Sequence, residues 1–207
     1  MRVFRLILVL VLLGGGARAQ DVFDGCRMTG TAKAARAKEL NPEKNRYDMP
    51  KSSDIDPAVT LAALLKPGHD RGRFTVGRAV EITGYVYDVK KGGMETCNCG
   101  SNDLVHTDTH IDLTLDGSRK SSVKSKRVIV EVTPRIRRAM EAHGADWSTK
   151  GLQKTLLHHW IKVQGWLFYD AEHEMNSENI NPNGSSNWRA TCWEIHPITS
   201  IQVVSPP

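Results

Sequence analysis

The stretch from Ser148 to Asp170, "STKGLQKTLLHHWIKVQGWLFYD", changes its period halfway along. Its first half sets Leu152, Leu156 and Trp160 four residues apart, one face of a helix that Ser148 can open. Its second half alternates, with Ile161, Val163 and Leu167 on one side and Trp166 and Phe168 on the other, the pattern of a strand. Gly165 falls in the middle of that strand, where a bend or a close backbone approach is expected. A helix running straight into a bent strand decides the fold once its neighbours are added.

Upstream, "AVEITGYVYDV" (79–89) points Val80, Ile82 and Val86 one way and Tyr85 and Tyr87 the other, with Gly84 allowing a bend. "VHTDTHIDLTL" (105–115) turns Val105, Ile111, Leu113 and Leu115 inward and His106, Asp108, His110 and Asp112 outward. "RVIVEVTP" (127–134) sends Val128, Val130 and Val132 inward, Ile129 and Glu131 outward, and stops at Pro134. Downstream, "CWEIHPITSIQVV" (192–204) is a final strand interrupted near Pro197. Three strands, one helix and two strands, with mid-strand glycines, is the order of an OB-fold. The expected architecture is mainly β: a five-stranded Greek-key barrel over 76–207 with one helix between strands three and four. Residues 20–75 form a partly helical N-terminal extension. In it "TAKAARAKELNP" (31–42) should make a short helix ending at Asn41-Pro42. A second helix starts from Asp56 and Pro57, and its stripe of Leu61, Leu64 and Leu65 is expected to cover the outward Tyr85, Tyr87, Trp166 and Phe168.

Residues 1–20, "MRVFRLILVLVLLGGGARAQ", begin with Arg2 and Arg5, continue through an apolar run from Leu6 to Leu13 and reach Ala17-Arg18-Ala19. This pattern predicts a secretory signal over 1–19. The apolar run is shorter than the about 20 residues that a bilayer crossing needs. The mature chain is therefore expected to be exported, periplasmic or extracellular, with no transmembrane segment. Removing three arginines lowers the formal charge from +5 to +2, so overall charge says little about partners. Distribution says more. Arg119, Lys120, Lys124, Lys126, Arg127, Arg135, Arg137 and Arg138 stand against Glu131 alone, and such a run can steer a polyanion such as nucleic acid.

All four cysteines, Cys26, Cys97, Cys99 and Cys192, survive processing, and an even number in an exported chain predicts two disulfides. Cys97 and Cys99 are too close to bridge each other, so one is expected to reach Cys26 and the other Cys192. Only one residue separates the pair, against the two to four of usual zinc motifs.

On the strand-two and strand-three face, His106, His110 and Glu131 project together, and His106 and His110 are the candidate ligands for a divalent metal. His173 lies in a long asparagine-rich loop beside that face, with Asp170 and Glu172 as neighbours; Glu194 and His196 follow on the last strand. No serine nucleophile elbow, phosphate-cradling glycine loop or HExxH pair occurs, so no catalytic residue is assigned and no cofactor beyond a divalent ion is indicated.

Four segments, "ETCNC" (95–99), "VIVEVTPR" (128–135), "GWLFYDAEH" (165–173) and "WEIHPIT" (193–199), together resemble a group of exported bacterial proteins of OB-like fold. The resemblance implies fold and export and supplies no catalytic residues. The expected function is an exported OB-fold binding module for nucleic acid, an acidic glycan or another polyanion. Its ligand contacts would be Arg119, Lys120, Lys124, Arg127, His106, His110, Glu131 and His173. The alternatives are a metal-dependent hydrolase using the His/Asp/Glu face and a structural envelope protein.

Overall fold

The computed structural model describes residues 21–118 and 123–207. The signal segment expected over 1–19 and the basic positions Arg119 and Lys120 lie outside the described residues, as does the side chain of Lys124. The extension begins with a ribbon of Val22–Phe23 (β1) and Cys26–Arg27 (β2), turned at Asp24 and Gly25, which both have positive φ. Helix α1 (Ala35–Lys44) runs one turn-fraction past its expected stop and carries Pro42 inside it. Tertiary bonds overrule the local signal: Asn41 Nδ2 donates to Thr29 O at 2.8 Å, and Lys44 is drawn to Glu95. Helix α2 is only Leu61–Leu64, capped by Thr60 Oγ1 accepting from Ala63 N. Asp56 closes a turn before it, accepting from Ala58 N, and does not cap the helix.

The barrel strands are β3 (Ala79–Lys91), β4 (Thr109–Thr114), β5 (Val128–Val132), β6 (Trp160–Tyr169) and β7 (Trp193–Val204). They close in the order β3-β4-β5-β7-β6, antiparallel at each seam except β5 with β7, which is parallel. That is the OB-fold order, with a Greek-key path and no open edge. Between β5 and β6 lie two short helices: α3 (Pro134–Glu141), opened by Thr133 and Pro134, and α4 (Thr149–Leu156), capped by Ser148.

The inward faces follow the alternation. Val80, Ile82, Val86, Ile111, Leu113, Val128, Val130, Val132, Ile161, Val163 and Leu167 join Trp193, Ile195 and Ile198 in one buried core. Leu152 and Leu156 of α4 enter that core, and so do Leu61 and Leu64 of α2. A Cβ on Gly84 would lie 2.7 Å from Leu61 Cδ2, so Gly84 leaves the space that Leu61 fills. Helix α2 is thus a plug in the barrel, and it does not cover the outer aromatics. Arg46 covers Trp166, with its guanidinium 3.4 Å from the ring centroid, while Trp166 Nε1 donates to Asp48 O at 2.8 Å. At Gly165 a Cβ would lie 2.4 Å from Pro197 O, and the β6–β7 register shifts there. The extra residues in that register lie on β7, on either side of Ile198, so the irregularity expected near Pro197 is a pair of bulges in β7, which continues through the proline.

One disulfide joins Cys26 to Cys99 and ties β2 to the loop before β4. The second expected bridge is absent: Cys97 and Cys192 are buried thiols. Alternate positions in a loop need not present sulfurs to neighbouring partners. Here Cys97 Sγ donates to Glu95 Oε2 at 3.2 Å. Val105 and Leu115, expected inward, are exposed because β4 is shorter than its alternating pattern. No described helix is long and apolar enough to cross a membrane.

Candidate metal centre

The outward face of β4, β5 and β7 is where acid and imidazole groups gather. His110 sits directly opposite Glu131 in the β4–β5 register. The parallel pairing of Val130 with Ile195 brings Glu194 and His196 alongside Glu131. Asp108 precedes β4 on the same side. A solvent-facing strand would leave such residues wet. Here Asp108, Glu131, Glu194 and His196 are each 1–2% exposed, and His110 is 9% exposed.

Three segments cover the face. The loop after β3 lays down Glu95, Cys97 and Asn98; the end of α1 supplies Lys44; the loop between β6 and β7 supplies Asp170, His173, Trp188 and Arg189. Lys44 Nζ meets Glu95 Oε2 at 2.7 Å, and Asn98 Nδ2 donates to Asp108 Oδ2 at 3.0 Å. Arg189, fully buried, bridges Asp170 Oδ2 at 3.0 Å and Glu194 Oε1. His196 Nδ1 lies 3.3 Å from Glu194 Oε2 and 3.4 Å from Glu131 Oε2. Its other nitrogen, Nε2, faces Asp108 Oδ2 at 3.9 Å.

The permanent cations alone do not balance the carboxylates. Glu95, Asp108, Glu131, Asp170 and Glu194 are five carboxylates, against Lys44 and Arg189 as two permanent cations. Burying an uncompensated charge costs several kcal/mol. Burial pushes the Asp108 carboxyl up to about 7 and the Cys97 thiol well above its ordinary range. Burial also opposes charge on His110 and His196, but the Glu131 carboxylate outweighs it and lifts both rings to about 9. Against the same burial penalty, the two rings hold Glu131 below the usual carboxylate range. Ring protons and a divalent ion would compete for the same nitrogens.

Four buried atoms at this face have no hydrogen-bond partner among the described residues: Asp108 Oδ1, His110 Nε2, Glu131 Oε2 and His196 Nε2. His110 Nε2 approaches Glu131 Oε1 to 3.1 Å without hydrogen-bond alignment. Buried polar atoms are rarely left unpaired, and each costs about 1–3 kcal/mol if nothing meets it. Asp108, Glu131 and His196 can offer one donor atom each within 4.8 Å of one another; so can Glu95, His110 and Glu131, and Glu95, Cys97 and Asp108. Two donors on a tetrahedral zinc ion at about 2.1 Å stand about 3.4 Å apart, close to these separations. Imidazole, carboxylate and thiol donors suit zinc or a neighbouring divalent transition ion. Glu194 on His196 Nδ1 is the outer carboxylate that fixes a ligating ring with Nε2 turned inward.

A pocket of about 310 Å3, lined by Lys90, Lys91, Glu95, His110, His173 and Trp188, opens onto the face. A larger cavity of about 590 Å3 lies elsewhere, between Leu104, Val105 and Trp147, and has none of the unpaired groups.

The structure brings together His110, Glu131 and, at the pocket rim, His173. It does not bring His106. Asp103 accepts from the Val105 and His106 amides and turns the chain before β4 starts, so His106 leaves the face. Its ring lies between Asp103 and Asp24, 2.8 and 3.0 Å away. The described arginines of the basic run hold structure. Arg127 pairs with Asp112 at 3.2 Å and stacks on Tyr87, and Arg138 pairs with Asp24. Arg135 donates to Cys26 O, and Arg137 donates to the carbonyls of Val105 and Thr107. Lys44, Glu95 and Arg189 carry no pattern in sequence that marks them, whereas Glu194 and His196, two apart on a strand, do.

No protein-family model matches the chain, and no curated protein matches it significantly.

Proposed function

We propose that this chain is an exported OB-fold metalloprotein that holds one divalent transition ion, zinc by its donor set, on the covered face of β4, β5 and β7. Asp108, Glu131 and His196 are the central ligands, with His110 reaching Glu131 from the pocket side. One observation carries the reading: Asp108, Glu131 and His196, each with a buried atom that lacks a hydrogen-bond partner, can offer donor atoms within 4.8 Å of one another, and His110 can do so with Glu131 and Glu95. Lys44 and Arg189 are spent on Glu95, Asp170 and Glu194, so Asp108 and Glu131 depend on the two imidazoles, as protonated rings or as fellow ligands of an ion. The ion takes over the compensation that protons on His110 and His196 would otherwise give the carboxylates. Export is supported by the Cys26–Cys99 bridge and by the leader pattern, since such bonds persist in oxidising compartments.

The test is elemental analysis of the mature protein purified without chelator and then titrated with zinc. We expect one equivalent per chain, lost in His196→Ala and Glu131→Gln while circular dichroism shows both still folded. Absence of any bound ion, or full retention in both variants, overturns the reading.

A further inference from the structure

The three inner ligands have no opening of their own. The side chains of Asp108, Glu131 and His196 are only 1–3% exposed, with Asn98 bonded to Asp108 and the Phe168 ring against His196. An ion cannot drop its water shell and cross that cover bare, because an uncompensated charge in such surroundings is costly. It needs donor atoms along the way, and the pocket side provides them. His110 and Glu95 line the pocket of about 310 Å3, with side chains 11% and 16% exposed. Together with Glu131 they form a second set of three that can offer donor atoms within 4.8 Å of one another. Glu131 belongs to both sets, and its two oxygens divide between them. Oε1 lies 3.1 Å from His110 Nε2, and Oε2 lies 3.4 Å from His196 Nδ1. Each set also has a buried ring nitrogen with no hydrogen-bond partner among the described residues, His110 Nε2 on the pocket side and His196 Nε2 inside. Lys44 and Cys97 both bond to Oε2 of Glu95, which leaves Oε1 to an ion. Gly92 leaves His110 its space: a Cβ there would stand 2.8 Å from Nε2 and 2.9 Å from Cδ2.

We propose that Glu95, His110 and Glu131 are the loading port of the centre: an incoming zinc ion is first held by them at the pocket, then passes along Glu131 from Oε1 to Oε2 and settles with Asp108 and His196. The inference rests on the metal reading and adds a second position for the same ion, so the stoichiometry stays at one per chain. The ion keeps the Glu131 carboxylate throughout, and each water that it sheds is replaced by an imidazole or carboxylate of the protein. The passage is an exchange of ligands with no change of oxidation state. A proton on the His110 ring leaves through the pocket as the ion arrives and returns once the ion has moved inward.

The experiment follows zinc in the full mature chain by stopped flow, with a zinc-sensitive dye reporting uptake by the metal-free protein and release from the loaded one. Zinc content is measured first: a parent that holds no ion overturns the metal reading, and this inference with it, before any rate is read. Gly92→Ala sets a methyl group against His110 Nε2; its other near contact is the Asp108 backbone carbonyl at 3.1 Å, not a ligand atom. It should slow uptake and release together, each about tenfold, the lower end of what disturbing a metal's supporting partners costs, and leave zinc affinity unchanged. His110→Ala widens the opening but removes the donor, and it should slow uptake by at least as much. Faster uptake in His110→Ala makes the ring a mere plug and overturns the proposal. So do parental rates in Gly92→Ala, and an affinity lost there through faster release alone. Circular dichroism checks that both variants fold, and His110→Ala decides by itself if Gly92→Ala does not.

Discussion

Glu194 shows how much one side chain can carry. It takes one oxygen to Arg189 and the other to His196 Nδ1, so it both balances a buried cation and selects the tautomer of a ring. Outer carboxylates of this kind typically change metal affinity by 10–100-fold. Glu194→Gln should therefore lower zinc affinity by about that factor, read by competition with a chelating dye, while leaving one equivalent bound at saturation. A loss of all binding would place Glu194 among the direct ligands instead. The pairing was half legible. "WEIHP" shows two polar residues on one strand face, and "THIDL" and "VIVEV" show His110 and Glu131 in the same way. Lys44, Glu95 and Arg189 were not legible, because they reach the face from segments remote in sequence. His106 was misleading: Asp103 turns the chain just before β4 begins.

At the scale of elements, the extension belongs to the barrel. Leu64 of α2 is fully buried in the barrel core, so Leu64→Ala should cost about 2–5 kcal/mol in a chemical melt. Retention of full stability would mean that the plug is dispensable. An amphipathic helix read in sequence shows that its leucines need cover, but not which surface gives it, and here the choice was between the barrel core and the outer aromatics. The β1–β2 ribbon is clasped differently, by charge. The Arg138 guanidinium, aided by His106, holds the Asp24 carboxyl down at about 2 from its ordinary 3.8. A depressed acid contributes stability above its unfolded value and loses it as pH falls through the folded one. The clasp should hold above about pH 4 and open between 4 and 2. Proton titration of the Asp24 carboxyl by NMR should show this, and Arg138→Ala should move its midpoint up toward the ordinary value. An unmoved midpoint would mean that Arg138 does not hold the ribbon.

Across the whole molecule, the closed order β3-β4-β5-β7-β6 was legible because apolar alternation and mid-strand glycines are local signals. The covering of the outward β4–β5–β7 face was not, since it depends on long-range docking of three segments remote in sequence. The Cys26–Cys99 bridge spans 73 residues and fastens one of those segments to the extension. In the chain-entropy view a loop of that length contributes about 4 kcal/mol. Cys26→Ala with Cys99→Ala should lower unfolding free energy by about that amount in urea, and zinc affinity should fall with it, because the Glu95–Asn98 cover is released. Unchanged affinity in the destabilised variant would separate the cover from the centre.

The parallel β5–β7 seam has a consequence for synthesis. His196 comes from the fifth barrel strand, while Asp108 comes from just before the second and Glu131 from the third. A ribosome must complete all five barrel strands before these three side chains can meet. If the chain crosses a membrane unfolded, the proposed centre can be completed only outside the cytoplasm, and its cation is chosen by whichever fluid surrounds the chain when the fifth strand docks.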